Sequence, residues 1–181
     1  MEGQTILEGQ IAATLGLNNL RSGRHIVRDQ QRSKTREVSV LGIWAAHILP
    51  SLFPPATVAV VMEEQRALGA FAVVVGLSRT WDTVSVVDVQ FAPEWVDPVA
   101  DVLTQTNLFD LEGGLCPDGI SYELHIDTFA SRSQIHFATP STQSLIELEQ
   151  AVFRVANEVV ALAGGPLEKR YLDTWQDHLA R

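Results

Sequence analysis

Tyr122-Glu123-Leu124-His125-Ile126-Asp127 and Gln134-Ile135-His136-Phe137-Ala138 carry the pattern that decides the fold. In both runs apolar residues alternate with polar ones. That period of two sets Tyr122, Leu124, Ile126, Ile135 and Phe137 on one face. A polar loop separates the runs, so they read as an antiparallel β-hairpin with one buried face and one less apolar face. A register with Ile126 facing Ile135 and Leu124 facing Phe137 sets His125 opposite His136 and Asp127 opposite Gln134. His125, His136 and Asp127 are then a candidate metal-ligand set, since imidazole nitrogens and carboxylate oxygens are zinc donors. A solvated strand face accounts for the same letters, and the expectation is that no tight metal site forms and no cofactor is bound.

Downstream of the hairpin, Pro140 and the capping box Ser144-x-x-Glu147 open a helix. Its apolar stripe is Leu145, Leu148, Val152, Val155, Val159 and Leu162, and Gly164-Gly165 stops it. Tyr171 to Leu179 adds a short terminal helix. Upstream, Cys116-Pro117-Asp118-Gly119 reads as a turn. Asp97 as N-cap with Pro98 in the first turn starts a helix through Val99, Val102 and Leu103. Thr57–Glu63, Ala70–Leu77 and Thr83–Phe91 are valine-dense runs bounded by turn-formers, and they read as strands. Strands, helix, strands, helix is the order of an α+β fold, an antiparallel sheet with helices packed on one face.

The N-terminal third is less periodic. Ile6 to Leu17 suits a helix, and Val40 to Leu49 is apolar all round, a buried helix or a buried strand; the loop Pro50–Pro55 closes it. Residues 1–56 are expected to form a mostly helical extension packed on a body of residues 57–181, in one compact domain. The chain of 181 residues suits one core. From Val38 to Met62 no charged residue occurs, but Pro54-Pro55 would break a spanning helix, so burial is expected there and no membrane span.

The net charge of −9 is unevenly distributed. Between Asn19 and Arg36, six basic residues stand against Asp29, a local +5, while the rest of the chain carries −14. Arg21, Arg24, Arg28, Arg32 and Arg36 recur every three or four residues, so a continuous helix would gather them into a partner-binding stripe. Gln10 to Leu17 looks like the opening of a helix-turn-helix, although Ser22 and Gly23 fall in what would be its second helix. The acidic body opposes nucleic acid, so a protein partner is favoured. A single cysteine, Cys116, fits a reducing compartment, and the N-terminus shows no signal-peptide pattern, so a cytoplasmic location is expected. No nucleotide-binding, nucleophile-elbow, H-E-x-x-H or C-x-x-C motif occurs, and no catalytic residue is assigned.

Three segments resemble the emfourin-type inhibitors of thermolysin-like metalloproteases. They are Gly69-Ala70-Phe71-Ala72, Asn107-Leu108-Phe109-Asp110-Leu111 and Pro117-Asp118-Gly119-Ile120-Ser121-Tyr122-Glu123-Leu124. The resemblance spans residues 63–155 and implies the architecture of a small bacterial inhibitor-like module, with no inhibitory residue carried over. The sequence is therefore read as a non-catalytic protein-interaction or regulatory protein. The alternatives are a metal-binding protein or enzyme using the hairpin histidines, and a DNA-binding regulator.

Overall fold

A computed structural model describes residues 2–29, 34–75, 83–105, 119–138, 140 and 142–179. The chain runs α1 (Glu2–Thr14), β1 (Gly23–Asp29), β2 (Lys34–Pro50), β3 (Ala56–Glu63), β4 (Ala67–Val74) and β5 (Val84–Gln90). It continues through α2 (Pro98–Gln105), β6 (Ile120–Thr128), β7 (Arg132–Ala138), α3 (Gln143–Ala163) and α4 (Pro166–Leu179). The fold is α+β. Its seven described strands form one antiparallel sheet in the order β5-β4-β3-β2-β6-β7, with β1 paired to the first half of β2. Val40 is bonded to Gly23 on one side and Glu63 on the other, so β1 lies on the β6 side of β2, in line with the end of β6.

One face of the sheet is covered by α3, with α2 and α4 beside it. Trp44, Ala46, Ile48, Val58, Val60, Phe71, Val73, Tyr122 and Leu124 meet Leu145, Leu148, Val152, Val155, Val159 and Trp175 there. Gly69 allows this contact, because a Cβ at that position would lie 2.5 Å from Phe91 and 2.7 Å from Val159. Helix α3 is capped by Thr142, whose hydroxyl accepts from the Leu145 amide, two residues earlier than the expected Ser144 box. Its stripe is buried from Leu145 to Val159; Leu162 extends past the core and is exposed. The last helix begins at Pro166, five residues before Tyr171.

The opposite face is covered by α1. Leu7, Ile11 and Ala12 pack on Ile43, Ala45, Ala59, Val61, Ala70 and Ala72. The helix ends at Gly16, whose φ of 72° lets the Leu17 amide turn back to the Ala12 carbonyl.

The N-terminal third departs from the expected mostly helical extension. Among the described residues of 1–56 the chain forms the helix α1 and the strands β1 and β2, with Ala56 opening β3, and β2 pairs with β1, β3 and β6. A β-bulge between Val40 and Gly42 shifts the alternation, so even-numbered Val38 and Val40 share a face with odd-numbered Ile43 and Ala45. Among the described residues, helices therefore lie on both faces of the sheet, α2, α3 and α4 on one and α1 on the other.

Candidate metal centre

Residues directly opposed in an antiparallel pair share a face. Across β3, β2, β6 and β7 the register aligns Thr57, His47, Glu123 and His136 in one row, and Ala59, Ala45, His125 and Gln134 in the next. These rows belong to the face under α1. The alanines leave space above the sheet, and α1 settles close enough for Glu8, next to the buried Leu7, to reach both His47 and His125.

Glu8 Oε1 lies 3.0 Å from His47 Nε2 and 3.1 Å from His125 Nδ1. The three donor atoms all fall within 4.8 Å of one another. The rings stand edge to face, with centroids 5.0 Å apart. The second nitrogen of each ring is also engaged. His47 Nδ1 meets Thr57 Oγ1 at 2.9 Å, and His125 Nε2 meets Glu123 Oε1 at 2.7 Å. The Gln134 amide donates to the same Glu123 oxygen. The His47 side chain is completely buried, while that of His125 is 36% exposed.

Burial pushes the Glu8 carboxyl up, but hydrogen bonds and charge from His47 and His125 outweigh it and hold the group below its usual range. Glu8 is thus a carboxylate near neutral pH. His125 has a carboxylate oxygen at each ring nitrogen, whereas a neutral imidazole has a single N–H. The Gln134 amide nitrogen also lies 3.0 Å from His125 Nε2, so this nitrogen has both an acceptor and a donor as neighbours.

Bonds of about 2.0–2.1 Å at angles between octahedral and tetrahedral put neighbouring donor atoms roughly 2.9–3.4 Å apart. The separations of 3.0 and 3.1 Å from Glu8 Oε1 fall in that range and are equally those of hydrogen bonds, while the full set is held within 4.8 Å, so an ion would draw the two histidine nitrogens together. Two imidazoles and one carboxylate are a donor set for zinc or another first-row divalent ion. Metal-ligating histidines hand their other nitrogen to a carboxylate, carbonyl or water, which fixes ring and tautomer. Glu123 does this for His125, and the Thr57 hydroxyl takes the corresponding place for His47. Glu8 and His125 border an open cavity of about 280 Å³, so an ion held here keeps coordination positions free on that side.

Of the predicted metal ligands, only His125 belongs to this cluster. The hairpin register is two residues from the expected one: His125 is opposite Gln134, His136 opposite Glu123, and Asp127 opposite Arg132. The turn sets this. Thr128 Oγ1 accepts from the amides of Ala130 and Ser131, and Thr128 and Ser131 close a tight loop instead of a longer polar one. His136 is largely exposed, with Nδ1 4.0 Å from Glu123 Oε2. Asp127 is anchored away from the cluster by the Ser22 amide and hydroxyl, Arg21 at 3.3 Å and Arg132 at 2.7 Å.

The arginine series does not form a helical stripe. Arg21 precedes β1, Arg24 and Arg28 lie on β1, and Arg36 lies on β2 opposite Val27. Arg24 pairs with Glu37 at 3.4 Å, with both side chains exposed. The second helix of a helix-turn-helix is likewise a strand. Arg32 and the turn residues Cys116 to Asp118 lie outside the described residues. Glu8 and His47 escaped the sequence reading. The one signal for His47 was a polar side chain inside an uncharged, buried run, which needs a hydrogen-bonding partner. No protein-family model, curated protein or solved structure matches the chain.

Proposed function

We propose that this protein binds one divalent transition-metal ion through Glu8, His47 and His125, with the ion open to the adjoining cavity. The observation that carries this reading is the pair of histidines aimed at one carboxylate oxygen, each with its other nitrogen already held, by Thr57 and by Glu123. Such an ion acts as a Lewis acid toward a molecule in the cavity. Zinc titration of the metal-free full chain by calorimetry tests it. One equivalent should bind, and His125→Ala should weaken binding about tenfold or more. His125 is partly exposed, so the fold should tolerate the change. An absence of binding by the parent chain, or an unchanged affinity in the variant, would reject the site.

A second reading is docking of a protein partner on the β1–β2 ribbon. Among the described residues β1 pairs only with β2, and Ile26 on it is 66% exposed. The resemblance of residues 63–155 to protease inhibitors also favours an interaction role. Ile26→Asp should abolish capture of such a partner while leaving zinc affinity unchanged.

A further inference from the structure

The cavity beside the metal centre has a second polar end. Glu8 and His125 border it on one side and Arg21 and Arg132, beside Asp127, on the other, with Leu20, Ile43 and Ala45 also in its lining. Both guanidinium groups are fixed by the same carboxylate: Arg21 Nη1 and Arg132 Nε reach Asp127 Oδ2 at 3.3 and 2.7 Å. Asp127 is nearly buried, and Ser22 supplies two hydrogen bonds to its other oxygen. Two cations thus converge on one anion, which leaves a surplus positive charge at that end of the cavity, opposite the Glu8 carboxylate. Each guanidinium has five N–H groups in a planar fork and uses one nitrogen on Asp127, so further donors remain for a planar or tetrahedral oxyanion. The apolar lining from Leu20, Ile43 and Ala45 suits a short hydrocarbon body, and the volume of about 280 Å³ sets the scale of a small molecule.

We propose that this cavity binds a small molecule bearing a carboxylate or phosphoryl group, with the oxyanion on Arg132 and Arg21 and the rest of the molecule facing the metal. The inference rests on the metal reading above, because the ion closes the other end of the site. Asp127 is then a positioning residue that holds the two guanidinium groups in place.

The experiment titrates butyrate and methylphosphonate separately into the full chain, zinc-loaded and zinc-free, with zinc affinity measured on the same preparations. The zinc-loaded parent should bind at least one probe more tightly than the zinc-free parent, and the preferred probe assigns the anion as carboxylate or phosphoryl. Arg132→Gln should lower that affinity about tenfold or more while zinc affinity and thermal midpoint stay unchanged. Arg132 is 68% exposed, which favours a folded variant, and Arg21→Gln provides the same readout should Arg132→Gln unfold. Zinc binding without binding of either probe, or with probe affinity unmoved by both arginine changes, overturns this inference and leaves the metal site standing. Failure of the parent chain to bind zinc overturns both.

Discussion

The two faces of the sheet are covered by helices yet built differently. Under α3 and α4, large side chains interlock: Trp44, Phe71, Tyr122 and Leu124 meet Leu148, Val155 and Trp175, and the Trp175 indole donates to Tyr122 Oη at 2.9 Å. Under α1 the floor is rich in alanine, Ala45, Ala59, Ala70 and Ala72 beside Ile43 and Val61, with His47 and His125 rising from it to meet Glu8. Carboxyl groups on the two faces, one buried and one half-buried, respond in opposite directions. On the α3 face, burial raises Glu149, a shift only partly offset by its hydrogen bond with Tyr122. On the α1 face, Glu8 is drawn down by two imidazoles. One face is built for stability, and the other holds polar groups that need each other or an ion.

Deletion on the α3 face should have the largest effect. Trp175→Ala should cost about 3–5 kcal/mol and Leu148→Ala about 2–5 kcal/mol in denaturant unfolding, because both side chains are buried against aromatic or aliphatic neighbours. Losses under about 1 kcal/mol at both sites would mean that this face is not the main core.

Enlargement of the α1 floor should cost less and act on the site. Ala59 is fully buried, paired with Ala45 and Ala70 on neighbouring strands, so Ala59→Leu lifts α1 and with it Glu8. Overpacking of this kind costs about 1–3 kcal/mol. Zinc affinity should fall with it, whereas Leu148→Ala, measured under folding conditions, should leave zinc affinity nearly unchanged.

The face comparison also explains how much of the fold was legible. The β6–β7 hairpin has one apolar face toward α3, so its period of two was visible, and the α3 stripe from Leu145 to Val159 matched a helix lying on a sheet. Strand β2 is covered on both sides, by α1 and by α3, so Ile43 to Ile48 shows no alternation, and its bulge reverses parity besides. The three-to-four spacing of the arginines imitates a helix that Ser22 and Gly23 do not support, and tertiary pairing with β2 made the segment a strand. The Glu8–His47–His125 cluster was beyond local reading, because His47 and His125 lie 39 and 117 residues from Glu8 and meet it only through strand register and helix docking.

The smallest effects come from Glu149 and Glu8, measured on metal-free protein as stability against pH. Glu149 has a folded value above the ordinary 4.5, so its ionised form is disfavoured in the fold once pH rises past both values. Glu149→Gln should therefore raise stability at neutral pH, with the gain fading as pH falls through the carboxylate range. Glu8 has a folded value below 4.5, so its contribution is present above 4.5 and lost as pH falls through the folded value. Glu8→Gln should lower stability at neutral pH and converge with the parent in acid. Shifts of the same sign in both variants would contradict the division between the faces.

The central claim is that the polar face holds an ion, and anomalous diffraction at the zinc edge from crystals grown with zinc tests it most directly. The account predicts one strong peak about 2.0–2.2 Å from Glu8 Oε1, His47 Nε2 and His125 Nδ1, with Glu123 and Thr57 still holding the outer nitrogens. Glu8 bound to both histidines with no peak between them, or zinc bound at His136 instead, would contradict it.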